Sequence, residues 1–197
     1  MPIPPAAAAI LEYWTSIGPQ GWYAGGDDLD TEIKTRFLST WEAANNGAFQ
    51  SWQSCPEGML AYLVLTDQFP RNMFRGDLRS FATDARARAV ATRAWQHDHD
   101  LRIEAPLRQF FYMPFMHSES SFDQDRCVCL MLARMPPPDD PDPVNSSALH
   151  ACVHREIIRR FRRFPYRNTA LGRVSSAQEE QFLKDGGYGE ILQSLTH

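Results

Sequence analysis

Ser54-Cys-Pro-Glu-Gly-Met-Leu-Ala-Tyr-Leu-Val-Leu-Thr-Asp-Gln-Phe-Pro-Arg-Asn72 is the stretch on which the fold turns. Its opening reads as a helix start, because Ser54 and Glu57 have capping-box spacing and Pro56 suits a first turn. From Glu57 to Phe69 the predicted helix is apolar nearly all round, through Met59, Leu60, Tyr62, Leu63, Val64 and Leu65. A helix with no polar face has to be enclosed by other elements.

The neighbours that enclose it also read as helices. Pro5 opens an Ala-rich segment that runs to Gly18-Pro19, and a second helix spans about Asp30 to Asn45 with Ile33, Phe37, Leu38 and Trp41 on one stripe. Others start at Thr83-Asp84, at about Ala105 (interrupted by Pro114), at the capping-box pattern Ser121–Gln124, at Ser146, and at the capping-box pattern Ser176–Glu179, which fades at Gly186-Gly187. No segment has the β-branched alternation of a strand. The fold class is therefore all-α, about eight helices in antiparallel hairpins, stacked or bundled. A single domain over 1–197 is expected, with a stiff Pro/Asp-rich loop at 136–145.

Bulk properties exclude several partners. A net charge of −4 gives no reason to expect nucleic acid or an anionic membrane. No run of about 20 apolar residues exists to span a bilayer, and Met1-Pro-Ile-Pro-Pro-Ala lacks the basic start of a signal peptide. Cys55, Cys127, Cys129 and Cys152 fit neither a disulfide framework nor a zinc spacing, so they read as reduced packing residues and the location as cytoplasmic.

Positive charge is almost all arginine, with Lys34 and Lys184 the two lysines. Arginine suits carboxylates and anions by its planar fork, although a codon bias gives the same skew. Asp67 lies on the apolar stripe near the C-terminal end of its helix, where dipole and burial both oppose its charge. It needs a partner, and Arg71, Arg163 and Arg167 are the candidates. After it, Pro70 is expected to end the helix at Phe69 and aim Arg71 and Asn72 from a constrained turn. Phe69-Pro-Arg-Asn72 is echoed by Phe164-Pro-Tyr-Arg-Asn168. Pseudo-symmetric hairpins and two walls of one pocket both account for the echo.

Residues 155–173 hold seven arginines and one acid, Glu156. They read as a small-anion site or as a solvated basic face, while nucleic acid is disfavoured because stacking aromatics are not interleaved. His117 and Glu119 follow the break at Pro114 and read as an acid/base pair, as metal ligands lacking further partners, or, more commonly for such a residue, as a satisfied structural histidine beside a carboxylate. His150 and His154 share a helix face but lack a third ligand, so no metal and no cofactor are expected; His154 reads as the half-buried partner of a carboxylate. His97 and His99 read as surface residues.

Taken together, Asp67-Gln-Phe-Pro-Arg-Asn-Met-Phe-Arg-Gly76, Phe81-Ala-Thr-Asp84, Met113-Pro-Phe-Met-His-Ser-Glu119, Arg163-Phe-Pro-Tyr-Arg-Asn168 and Leu171-Gly-Arg173 resemble the bacterial family called "domain of unknown function 924". The resemblance runs from about Tyr13 to Leu183 and implies a tetratricopeptide-like helical superhelix. It implies no activity. The chain departs from the family at Arg162, usually a small residue, and at Tyr166, often His. The stretch from Arg134 to Ser147 also diverges.

Three functions stay open at this point. One is a site of Asp67, Gln68, Arg71, Asn72, His117, Glu119, Arg163, Arg167 and Asn168 for a small anionic metabolite, with or without turnover. Another is a tetratricopeptide-like module for a peptide, against which stands the absence of detectable 34-residue repeats. The third is a polar network that only fixes helix exits. Oligomeric state is not readable.

Overall fold

The computed structural model describes residues 3–137 and 146–196, so most of the Pro/Asp-rich loop at 136–145 lies outside the described residues. The chain is all-α, with no strand among the described residues. No described helix is long and apolar enough to cross a membrane. The chain forms two compact units, residues 1–114 and 115–197.

In the first unit, α1 (Pro5–Ala24) packs on α3 (Pro56–Leu63), α2 (Asp27–Asn45) on α4 (Phe69–Met73), and α3 on α5 (Asp84–Gln96). Gly18-Pro19 does not stop α1 but kinks it, because Gly18 takes φ 70° and ψ 174°. Acidic residues at Asp27, Asp28 and Asp30 suit the start of α2, which begins three residues earlier than its stripe suggests. As its sequence requires, α3 is enclosed on every side: Met59 to Leu65 are all at most 4% exposed. Each large apolar side chain buried there contributes about 1.5–3 kcal/mol before the entropy of ordering it. Gly58 sets how closely α3 approaches the preceding 3-10 turn, Gln50–Ser54, since a Cβ would meet the Trp52 carbonyl oxygen at 2.1 Å. Around Phe69 the rings of Tyr13, Trp14 and Phe37 lie 4.8–6.3 Å away, the first two edge-to-face and the third stacked.

Pro70 does not end its helix, contrary to the expectation from sequence. α3 passes into a π-helical turn, Val64–Gln68, and then into α4, and Phe69 keeps helical angles of φ −56° and ψ −38°. Proline brings no N–H and crowds the carbonyl four residues back, here Thr66. The wider π turn relieves the crowding, with the Phe69 N–H donating to the Val64 carbonyl. The Thr83 hydroxyl then donates to the Thr66 carbonyl at 2.5 Å. Further on, the segment expected as a helix from Ala105 is a 3-10 turn, Leu107–Phe111, followed by α6 (Met113–Met116).

The second unit is built on α7 (Ser121–Arg134) against α8 (Ser147–Phe161), with α9 (Ala177–Lys184) and α10 (Tyr188–Thr196) following. α10 packs on α8 and lies beyond the point where the last helix is expected to fade, so the described α-helices number ten. Val153, Ile157, Ile158, Phe164, Phe182 and Ile191 make its core. Of the three capping boxes read from the sequence, Ser176–Glu179 forms in full. The other two do not. Pro56 at the first position makes Cys55 the N-cap, and the Ser54 hydroxyl donates to Ser51 instead. Ser120, not Ser121, precedes α7, while the Gln124 amide donates to the Phe115, Met116 and Ser118 carbonyls. Cys127 is a buried packing residue as expected, but Cys129 on the same helix faces solvent.

Candidate functional site

The first arginine–asparagine pair stands on α4, not on a turn. Arg71 donates to both oxygens of Asp84 at 3.2 Å and to the Asp67 carbonyl at 2.5 Å, and its guanidinium lies 3.4 Å from the Asp67 carboxylate. Of the three arginines proposed for Asp67, the near one along the helix is thus its ion-pair partner. Gln68 donates to the same carboxylate at 2.6 Å. Asn72 donates to Asp30 at 2.7 Å, and Arg75 clamps the other side of that carboxylate at 2.9 Å. Every proposed binding residue of this motif has an acidic partner inside the first unit.

The second pair has its own partners in the second unit. Arg163 makes a two-pronged bond to Glu179 at 2.6 and 2.7 Å, which holds the Glu179 carboxyl down at about 2. Arg167 is buried, lies over the Phe164 ring at 4.3 Å and donates to the His117 carbonyl at 2.9 Å. Asn168 donates to the Ser175 hydroxyl at 3.0 Å. Glu119 accepts from the Phe164 N–H and from Arg173, both at 2.9 Å. Burial pushes the Glu119 carboxyl up, but the Arg173 and Phe164 donors, with the charges of Arg173 and Arg167, outweigh it and hold it below its ordinary value. An acid held charged in this way is poorly set up to hand a proton to His117.

The arginine-rich stretch pairs with Glu156 and with acids from outside its own sequence. Arg155 meets Asp125 of α7, Arg160 reaches Glu190 of α10 as well as Glu156, Arg159 pairs with Glu156, and Arg173 with Glu119. His150 is hydrogen-bonded to the Tyr188 hydroxyl at 2.5 Å. His154 bonds the His150 carbonyl at 2.8 Å, so its partner is backbone where a carboxylate was expected. Desolvation pushes His154 down to about 3, against the carbonyl bond that raises it. No group of three metal-ligating side chains occurs among the described residues.

One polar cavity, about 380 Å3, lies within the first unit and was not anticipated from the sequence. Arg86, Ala89, Val90 and Arg93 line it from one face of α5, with Tyr62 of α3, Gln50 and Gln53 of the 3-10 turn, and Gly47 beyond α2. Arg86 has no carboxylate within ion-pair distance among the described residues, and Arg93 donates to the neutral amide of Gln53. Tyr62 is 4% exposed, and among the described residues nothing hydrogen-bonds its hydroxyl. Burial pushes the Tyr62 phenol up, against the lowering effect of both arginines, so it stays a neutral donor near pH 7. The sequence did hold a signal: Arg86 and Arg93 are seven apart, on one helix face, with no acid three or four residues away from either.

The comparisons with known proteins bear on which family built these features. The family described as "Bacterial protein of unknown function (DUF924)" matches residues 10–187. The chain belongs to that family. The structure titled "Structure of Protein of Unknown Function ATU0120 from Agrobacterium tumefaciens" is similar at 36% identity and a TM-score of 0.83, covering 91% of this chain and 97% of that one. A search of curated proteins finds no match. The all-α expectation drawn from the resemblance therefore holds, and the family brings no activity with it.

Proposed function

We propose that this protein binds a small anionic ligand, and that the cavity against α5 is where it does so. The observation that carries the reading is the lining itself: two guanidiniums without carboxylate partners and the phenol of Tyr62 share one 380 Å3 space. That volume is within the usual range for small-molecule sites. Charge-assisted donors facing a cavity with no carboxylate in its lining are matched by an anion from outside.

The echoed motifs fit a different role. Arg71, Asn72, Arg163, Arg167 and Asn168 each have a hydrogen-bond acceptor of the same unit, which favours reading them as the frame that fixes the helix ends. Thermal-shift screening with phosphate esters, sulfate esters and carboxylates tests the two roles. A ligand at 100 times its Kd stabilises the folded state by about 2.7 kcal/mol. The proposal expects such a shift to vanish in Arg86→Gln and to survive in Arg163→Gln. No shift across the panel, or one insensitive to Arg86 and Arg93, would remove it.

A further inference from the structure

We infer that the ligand of the α5 cavity is an organic dianion whose phosphomonoester group sits between Arg86 and Arg93. This rests on the anion-binding reading above and adds the ligand's charge and class.

The charge follows from the count of uncompensated groups. Two guanidiniums line the cavity, no acid lines it, and the remaining polar groups, Tyr62, Gln50 and Gln53, are neutral. A bound monoanion would leave one positive charge over, whereas a dianion balances the pair. The shape follows from the shared lining. Arg86 and Arg93 start about 10 Å apart along the helix axis, on one face of α5, and line the same cavity as Tyr62. Two cations lining one cavity suit a single doubly charged group that both can reach. A phosphomonoester has three acceptor oxygens and a charge near −2, enough for both forks and the phenol O–H.

Size excludes inorganic phosphate as the whole ligand. At about 30 Å3 per water, a 380 Å3 cavity has room for roughly a dozen waters, and a five-atom anion fills only part of it. Ala89 and Val90 give the organic body an apolar wall. The lining has no His, Asp, Glu, Cys, Ser, Thr or Lys, so it supplies no side chain to take a proton or attack phosphorus near neutral pH. The cavity holds the ester without cleaving it.

Phenyl phosphate and phenyl sulfate, alike in shape and one charge apart, separate the claims by titration calorimetry on the full chain. Phenyl phosphate is expected to bind at least about tenfold tighter than phenyl sulfate at pH 7.5, the worth of one more charged hydrogen bond. Its advantage should disappear by pH 5, below its second pKa of about 6. The pH dependence comes from the ester, because burial keeps the Tyr62 phenol neutral over that range. Equal, pH-independent affinity that is lost in Arg86→Gln would overturn the dianion and leave the anion site standing. No binding of either probe, or binding unchanged in Arg86→Gln and Arg93→Gln, would overturn both. Both arginines are solvent-facing, so these variants should fold, and Arg86→Lys should recover part of the affinity.

Discussion

Replacing Thr83 by valine removes one hydroxyl and keeps the shape, and the passage of α3 through Pro70 depends on that hydroxyl. Thr83 is fully buried; it donates to the Thr66 carbonyl at 2.5 Å and accepts from the Trp41 indole at 3.3 Å. The Thr66 carbonyl is the group that Pro70 cannot serve. Valine therefore takes away its side-chain donor and leaves the Trp41 N–H without its acceptor. Each lost buried partner costs about 1–3 kcal/mol, so with two lost Thr83→Val should destabilise by about 2–6 kcal/mol. For a chain of this length that is a fall of roughly 4–24 °C in Tm. Urea unfolding followed by far-UV circular dichroism gives the free energy, and Thr83→Ser, which keeps the hydroxyl, is the control. A Thr83→Val loss under about 0.5 kcal/mol, or a Thr83→Ser loss as large as that of valine, would refute the reasoning.

Three further expectations can be checked on the same preparation. Arg71→Met should cost about 2–4 kcal/mol in chemical denaturation, since Asp67 and Asp84 lose their shared cation, while leaving anion binding intact. Arg162 caps α8 with φ 61°, so Arg162→Gly should raise stability by about 0.5–1.5 kcal/mol in the same denaturation measurement. In acid, two groups pull stability the same way. Glu179, held at about 2 against 4.5 unfolded, contributes above about pH 4.5 and loses its contribution as pH falls towards 2. His154, held neutral down to about 3 against 6.5, makes the unfolded state the better proton binder below about pH 6.5. Its ring resonances should stay constant from about pH 8 to 4, and a midpoint near 6 would contradict the burial argument.

The sequence was most informative where one local rule acted alone. The helix that is apolar on every side had to be a central one, and Ser176–Glu179 had no competing partner, so its capping box formed. It misled where a second interaction intervened. At Pro70 a π turn and a threonine 17 residues beyond the Thr66 carbonyl rescued a helix that proline alone would have ended. At Gln124 three carbonyls of the preceding segment outcompeted the cap. The basic stretch looked uncompensated because Asp125, Glu119, Glu179 and Glu190 lie elsewhere in the chain. The opposite error hid Arg86 and Arg93. Their distinguishing property is that both line one cavity, which no linear motif records.

The most direct test of the anion site is a crystal structure of the protein grown with phenyl phosphate. The account predicts phosphate density between the guanidiniums of Arg86 and Arg93, within hydrogen-bond distance of the Tyr62 hydroxyl, with the Arg71–Asp84 and Arg163–Glu179 pairs unbroken. Density seated instead on Arg71, Arg163 or Arg167, with those pairs opened to receive it, would contradict it.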